Sequence, residues 1–192
     1  MVEETEYSYD IKIPKDRIAV LIGTKGKIKK EIEKETHSKI RVDSKDGDIT
    51  IMGEDSIGIF SAREIIKAIG RGFNPDVASL LLKQDYCFEA LNIGDYAGKS
   101  KKKMLRLRGR VIGEGGKTRR TIETLTETNM SVYGKTVSII GTHANAALAR
   151  KAIEGLLAGA NHAAVYRSLE KKRKELKMRA FEPAESKEDN HG

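Results

Sequence analysis

The chain has 192 residues, of which 39% are hydrophobic and 33% are charged, so it is long enough for one ordinary domain or two small ones. Its formal net charge of +8 and sequence pI of about 9.4 favour a polyanionic partner, either nucleic acid or an anionic membrane surface. The sequence has no run of about 18 apolar residues and begins without the basic and apolar segments of a secretory signal, which predicts a cytoplasmic protein.

The residues that most often bind metals are too few or too scattered to predict a site. Cys87 is the single cysteine, which excludes an internal disulfide and a cysteine-based zinc cluster. The histidines follow no ligand spacing; they are His37, His143, His162 and His191. We therefore expect no metal and no cofactor, and we interpret Cys87 as a small apolar residue of the core.

Hydrophobic periodicity predicts six elements in the first third of the chain. Alternation predicts a strand that ends at Pro14, and an apolar face predicts a short helix that breaks at Gly23. A second helix, a hairpin around Gly47 and a closing helix follow. The predicted ranges are 7–13 for the first strand, 17–22 and 27–36 for the helices, 39–43 and 48–52 for the hairpin, and 56–69 for the closing helix.

A boundary follows the closing helix. The segment 72–76 is rich in turn-forming residues, and Pro75 predicts the start of a short connecting helix that extends to residue 82. Because this linker is too short for a flexible tether, we expect the units on either side of it to pack against each other.

An internal repeat is the strongest feature of the sequence. Residues 110–117 repeat residues 20–27 at an offset of 90, and the offset falls to 88 and then to 87 through the rest of the unit. A basic helix over 167–179 and a disordered acidic segment over 182–189 are predicted after the second copy. The predicted division is a first domain at 6–70, a linker helix at 71–84, a second domain at 85–160 and a tail at 161–192.

Each copy places a glycine turn between two helices, where the chain has the chemistry of a phosphate-binding loop. In the first copy, at 23–26, the amides of the turn and the N-terminus of the next helix point to the same solvent space. Glycine at both ends lets a nucleic-acid backbone approach closely. Apolar side chains beside the turn predict a groove that accepts single-stranded bases and excludes a duplex; they are Ile22, Ile28, Ile32, Ile40 and Val42.

These motifs resemble those of a known family. The run 22–28 followed by Ile32 resembles the KH signature, in which a G-x-x-G loop clamps about four nucleotides. The resemblance implies an α+β fold of two type I (eukaryotic-type) KH domains, each βααββα with a three-stranded antiparallel sheet and three helices, plus a C-terminal basic helix. The paired units, the lysine-rich stretch before the second unit and the run 108–113 resemble the Dim-two family, also called partner of the Nob-one endonuclease, over about residues 6–160.

This resemblance implies a binding protein that is not an enzyme. Dim-two proteins are small-subunit ribosome assembly factors, so we expect single-stranded RNA as the partner, near the 3′ end of 16S-type ribosomal RNA. An assembly endonuclease or a translation factor is a further expected partner, and a membrane is not. The expected RNA-binding residues are Ile22, Gly23, Thr24, Lys25, Gly26, Lys27, Lys29, Arg41, Arg108, Arg110, Ile112, Gly113, Glu114, Gly115, Gly116, Lys117, Arg119 and Arg120.

Two residues of the second copy depart from the first. Glu114 would repel a phosphate, but ten basic residues between Lys99 and Arg120 outweigh it, with a screening length of about 10 Å in 0.1 M salt. Thr118 stands where the first copy has Ile28. This exchange predicts a second groove that is less apolar and more dependent on charge.

Several other functions fit the sequence less well. The run 113–118 ends in Gly-Lys-Thr, but a nucleotide-binding P-loop requires glycine where this chain has Val111. The predicted strands argue against a helix-turn-helix DNA reader that uses 28–36, and the clustered aromatic strand motif of an RRM is missing from the sequence. A general KH adaptor for RNA, or a protein scaffold with no fixed ribosomal target, remains the alternative.

Overall fold

A computed structural model describes residues 7–181, without the side chains at 176, 177 and 179–181. The acidic segment predicted over 182–189 lies outside the described residues. Over the part of the chain that is described, no helix has both the length and the apolar composition needed to cross a membrane. Nor do residues 7–181 bring together three His, Cys, Asp or Glu side chains in a way that suits a metal ion.

The first unit has the predicted order of elements. Pro14, with φ of −57°, precedes the first helix, and the Asp55 carboxylate accepts hydrogen bonds from the amides of Ile57 and Gly58 at the start of the third helix. The elements are β1 (Tyr7–Lys12), α1 (Lys15–Ile22), a 3-10 turn (Thr24–Gly26), α2 (Lys27–Glu35), β2 (Lys39–Asp43), β3 (Asp48–Gly53) and α3 (Ser56–Gly70).

The strands of this unit form an antiparallel sheet in the order β1-β3-β2. Ile49 in the central strand pairs with Ile11 on one side and with Val42 on the other. Alternate residues of β3, Ile49 and Ile51, are fully buried against Ile65 and the rest of the α3 core face. Because β2 is an outer strand, one of its edges is left for the groove described below.

The linker is a folded segment that includes a short helix. The Asn74 side chain accepts a hydrogen bond from the Val77 amide at 2.8 Å, and Phe73 is buried in the first core. The elements are α4 (Pro75–Ala78), which starts at the predicted proline, and a 3-10 turn (Ser79–Leu82). The predicted helical linker is therefore split between two helix types.

The second unit repeats the first and adds two helices. Its sheet is antiparallel in the order β4-β6-β5, which matches the order in the first unit. Its elements are β4 (Tyr86–Asn92), α5 (Gly94–Ala97), α6 (Lys101–Ile112), a 3-10 turn (Glu114–Gly116), α7 (Lys117–Thr126), β5 (Asn129–Tyr133), β6 (Thr136–Thr142), α8 (His143–Ala158) and α9 (His162–Phe181). The α+β class and the paired βααββα units are confirmed, whereas the domain limits drawn from the sequence stay a prediction.

The two units are in contact, as expected from the short linker. Phe73 and Phe88 meet edge to face with ring centroids 6.4 Å apart. Ile140 of β6 is fully buried in the cluster formed by the first unit. The Tyr133 hydroxyl donates a hydrogen bond to the Asp16 carboxylate at 2.6 Å across the junction, which raises the pKa of Tyr133. The units therefore share apolar and polar contacts.

Cys87 lies on β4 and is half-buried rather than fully buried as expected. Desolvation raises the pKa of its thiol, and the nearby Glu89 carboxylate raises it further. The thiol is therefore protonated at neutral pH and is a weak nucleophile.

Candidate nucleic-acid interface

The first glycine loop joins α1 to α2 through left-handed backbone conformations. Gly23 has φ of +69°, Gly26 has φ of +78°, and Lys25 between them has φ of +55° although it carries a side chain. A Cβ atom added at Gly23 would lie 2.4 Å from Cγ1 of Ile28, so a larger residue cannot fit there. The close approach of α2 to the loop therefore requires glycine at this position.

The second glycine loop, between α6 and α7, has the same backbone. The φ angles of Gly113, Gly115 and Gly116 are +75°, +53° and +79°. A Cβ atom added at Gly113 would lie 2.3 Å from Oγ1 of Thr118, whereas nothing lies within 4 Å of one added at Gly115. Both loops thus hold one glycine against the next helix and expose the following residues to solvent.

Each loop leads into a helix whose first amides lack partners within the helix, and basic side chains surround that helix start. Lys27 and Lys117, the first residues of α2 and α7, are exposed. In the second loop, the Arg120 guanidinium passes 3.3 Å from the Cβ position of Gly116. Glu114 is exposed within this loop. The arrangement suits a phosphate at either loop.

A groove of about 700 Å³ lies beside the first loop, between α2 and the outer edge of β2. Its walls combine apolar and charged side chains; they are Ile22, Lys29, Glu33, Ser38, Lys39, Ile40, Arg41, Val42 and Met52. Of the predicted apolar floor, Ile22 and Val42 are half-buried at the groove, whereas Ile32 is 4% exposed and belongs to the core. The predicted Lys29 and Arg41 both line this groove.

The second copy corrects the interpretation of Thr118. This residue is buried, and its hydroxyl lies 3.1 Å from the hydroxyl of Tyr166 on α9. It therefore packs against the C-terminal helix and does not make the groove more polar. Ile112 and Val132 are half-buried like their counterparts in the first copy, and Ser131 on β5 donates a hydrogen bond to a backbone carbonyl of the linker.

The basic stretch before the second loop belongs to the twelve-residue helix α6. Ser100 caps this helix by accepting a hydrogen bond from the Lys103 amide. With a rise of about 1.5 Å per residue, Lys103 lies about 15 Å along the helix from Gly113, which exceeds the screening length of about 10 Å. Lys101, Lys102 and Lys103 therefore add little to the field at the loop itself.

One of the two expected RNA-binding arginines on α6, Arg110, makes hydrogen bonds within the protein. The Arg110 guanidinium donates hydrogen bonds to the carbonyl oxygens of Leu156 and Ala160, at 3.2 and 2.5 Å, and so fastens the end of α8. Arg108 is half-buried on the same helix. Arg110 therefore has a structural role, which a count of positive charges does not detect.

Two carboxylates that lie beside the outer strands were not identified from the sequence, and one of them, Glu33, lines the first groove. Glu33 on α2 and Glu123 on α7 accept hydrogen bonds from the β2 amide of Ile40 and the β5 amide of Met130, at 2.7 and 2.8 Å. These residues are 90 positions apart, which is the offset of the repeat. Searching the repeat for acidic as well as basic matches would have found them.

Comparison with known proteins identifies the two units. The family model described as "KH domain" matches residues 8–68. A second model, described as "Eukaryotic type KH-domain (KH-domain type I)" and named for the second KH domain of PNO1, matches residues 87–174. The predicted fold is thus confirmed for both units.

Individual relatives agree with these matches. A KH domain-containing protein of Methanocaldococcus jannaschii is 49% identical over 183 residues, which cover 93% of this chain and 80% of that protein. The RNA-binding protein PNO1 of Oryzias latipes is 33% identical over 114 residues, covering 59% of this chain, and the matched part spans 47% of that protein's length.

Solved structures agree as well. A chain in the crystal structure of the a/eIF2alpha-aDim2p-rRNA complex from Pyrococcus horikoshii OT3 is 45% identical, with a TM-score of 0.84, and the match covers 90% of this chain and 97% of that one. The chain therefore belongs to the Dim2/PNO1 family of proteins with tandem KH domains.

Proposed function

We propose that the chain binds single-stranded RNA as a small-subunit ribosome assembly factor, with the 3′ region of 16S-type rRNA as its target. The observation that carries this proposal is the glycine loop that occurs twice with the same φ angles, each time at the start of a helix with basic side chains. A KH loop of this kind holds about four nucleotides through their backbone. The solved relative in complex with rRNA supports RNA as the ligand.

The residues that we propose to contact RNA lie in the two loops and beside them. The two loops would hold phosphates, with Lys25 and Lys27 beside the first and Lys117 and Arg120 beside the second. Ile22, Lys29 and Arg41 would meet bases in the first groove, while Ile112 and Arg119 occupy the corresponding places in the second copy. Arg110 is left out because of its contacts with α8.

A protein partner belongs to the same proposal. The relative from Pyrococcus horikoshii is described in a complex that also contains a/eIF2alpha. We therefore propose a translation factor of this kind as a partner, with an assembly endonuclease as the second candidate. The proposed role consists of binding and positioning RNA, with no chemical step.

The test is a titration of the full chain with a single-stranded RNA that matches the 3′ end of small-subunit rRNA. A scrambled strand of equal composition and a duplex of equal length serve as controls, and each titration is repeated at several salt concentrations because phosphate contacts weaken as salt rises. We expect preference for the native single strand. Equal binding to both single strands would leave only a general KH adaptor, and preference for the duplex would overturn the proposal.

A further inference from the structure

In each unit, the helix that follows the glycine loop carries a cation and a carboxylate in contact. In the first copy, Lys29 Nζ lies 3.2 Å from Oε1 of Glu33, and the same oxygen accepts the hydrogen bond from the Ile40 amide. The Lys29 and Glu33 side chains are 30% and 21% exposed, so both remain accessible at the groove wall that they form.

The second copy repeats the arrangement with a different cation. Arg119 Nε lies 3.5 Å from Oε2 of Glu123, whose Oε1 accepts the hydrogen bond from the Met130 amide. The spacing is i to i+4 in both helices, which places the pair on one face. The triad of cation, carboxylate and strand amide therefore recurs in both units, and in the first unit it lies at the wall of the groove.

The carboxylate changes what the groove offers to a base. Elsewhere on an open strand edge, an unpaired N–H would present a donor to a ligand. Here Glu33 covers the amide of Ile40 and presents acceptors in its place. An ionised carboxylate has about four lone-pair positions, and the Ile40 amide and Lys29 both contact Oε1, so the lone pairs of Oε2 are left for a ligand. Next to these acceptors, Lys29 supplies a donor.

A donor beside a carboxylate that retains free lone pairs matches one base better than the others. The Watson–Crick edge of guanine presents the O6 acceptor followed by the N1–H and N2–H donors. Adenine and cytosine each present a single donor on this edge, and uracil presents one donor between two acceptors. Single-stranded RNA exposes these edges for recognition inside a KH groove.

We infer that the Lys29–Glu33 pair, and the Arg119–Glu123 pair in the second copy, make each groove select guanine at one nucleotide position. The carboxylate accepts from N1–H and N2–H, and the cation donates to O6. This inference rests on the proposed RNA-binding function and adds the base that the groove prefers together with the residues that read it.

The experiment uses sixteen pools of four-nucleotide RNA, in which one position is fixed as G, A, C or U and the others are random. The full chain is titrated with each pool, and binding is followed through amide chemical shifts. At one position we expect the guanine pool to bind about 10-fold more tightly than the uracil pool, as a well-placed bidentate contact provides. Absence of a guanine preference at every position would overturn the inference.

The variant E33Q/E123Q removes the negative charge of each carboxylate while keeping nearly the same side-chain shape. The Gln oxygen still accepts from the Ile40 and Met130 amides, whereas its NH2 group replaces one acceptor with a donor. We expect the preference for the guanine pool to disappear and the affinity for the adenine pool to rise. The matched control is E31Q/E35Q, which removes the same charge from exposed positions of α2, and we expect it to keep the guanine preference.

Two further results distinguish the inference from the proposed function. If E33Q/E123Q binds with the wild-type preference, the inference is wrong while RNA binding stands; if no single-stranded pool binds, the proposed function itself fails. Should E33Q/E123Q not fold, K29M/R119M removes the donor of each pair without changing the contact with the strand amide. We expect this variant to lower the guanine advantage, and an unchanged advantage would contradict the inference.

Discussion

The two units share one loop geometry but have different surroundings. The middle position of the loop has φ of +55° at Lys25 and +53° at Gly115, so a lysine adopts the same left-handed backbone as a glycine. The preceding glycine, Gly23 or Gly113, faces the next helix in each copy. The packing of the two helices therefore sets the loop conformation, and the middle residue is free to vary.

What lies around each loop is not repeated. In the first unit, Ile28 is half-buried behind its loop and a groove is open beside it. In the second unit, Thr118 is buried beneath Tyr166 of the added helix α9, and the helix before the loop has twelve residues instead of eight. The second unit has thus gained extra packing from α9 and basic surface along α6, and we expect this surface to contact RNA backbone beyond the nucleotides at the loop.

The largest expected effect concerns the loops themselves. We expect Gly115→Asp with Gly116→Asp to weaken binding to single-stranded RNA by at least about 10-fold, since a carboxylate at position 115 would point into solvent and repel phosphate, and one at position 116 would lie beside the Arg120 guanidinium. Lys25→Asp with Gly26→Asp should weaken it less, although that change removes more positive charge. The measurement is a fluorescence anisotropy titration of the same labelled strand.

The control for the loop variants is Lys151→Asp, which changes the net charge as much as the second-loop variant but lies on an exposed face of α8. Equal losses from both loops would contradict the ranking. A loss from Lys151→Asp as large as that from the second loop would indicate a non-specific effect of charge.

The next prediction concerns α9, a helix that has no counterpart among the described elements of the first unit. Leu169 on α9 is 5% exposed and belongs to the second core. We expect Leu169→Ala to lower the free energy of unfolding by about 2 kcal/mol, because it leaves a cavity that the core does not refill. Chemical denaturation measures the loss, and hydrogen exchange should locate it in β6 rather than in β3. Equal loss of protection in both strands would show that the units unfold together.

A smaller effect distinguishes structural from RNA-binding arginines. Arg110→Lys keeps the charge but loses the forked pair of hydrogen bonds to the end of α8, so we expect a loss of about 1 kcal/mol in stability. RNA affinity should stay within about twofold of the wild type, since the net charge is unchanged. Arg106→Lys, on the exposed side of α6, is the control for stability. A large loss of RNA affinity with unchanged stability would show that Arg110 contacts RNA.

The smallest effect lies at the junction between the units. Tyr133 donates to Asp16, and this hydrogen bond raises the tyrosine pKa above its usual value near 10. A raised pKa in the folded state means that the contribution to stability is complete below about pH 10 and is lost as pH rises through the folded value. We expect Tyr133→Phe to lower the melting temperature slightly at pH 8, because the pair is exposed, and the difference to vanish at pH values above the folded pKa. A difference that is independent of pH would exclude the hydrogen bond as its cause.

Sequence patterns predicted most of the helices and strands because hydrophobic periodicity and turn residues are local features of the chain. The predicted ranges 39–43 and 48–52 coincide with β2 and β3 to within one residue, since alternation and the turn at Gly47 specify a hairpin. The short helix α5 was missed because four residues contain no full helical period. Helix α9 begins at His162, five residues before the prediction, where the Asn161 side chain accepts a hydrogen bond from the Ala163 amide.

Sequence patterns could not predict the parts of the site that depend on contacts between residues far apart in the sequence. From the sequence, Thr118 is predicted to be a polar groove residue. In the structure, Tyr166, which is 48 positions away, covers it. From the sequence, Arg110 is one residue of a basic run. In the structure, its guanidinium donates a hydrogen bond to a carbonyl oxygen at the end of α8. In both cases the partner of the side chain is set by tertiary packing rather than by its neighbours in the chain.

The central claim, that both glycine loops hold single-stranded RNA, is tested most directly by amide chemical shifts of the full chain during titration with the native 3′ rRNA strand. We expect the largest shifts in 113–117, smaller shifts in 23–27, and little change along β1, which lies on the far side of its sheet from β2. Shifts concentrated on β1 or α9, with both loops unchanged, would contradict the claim.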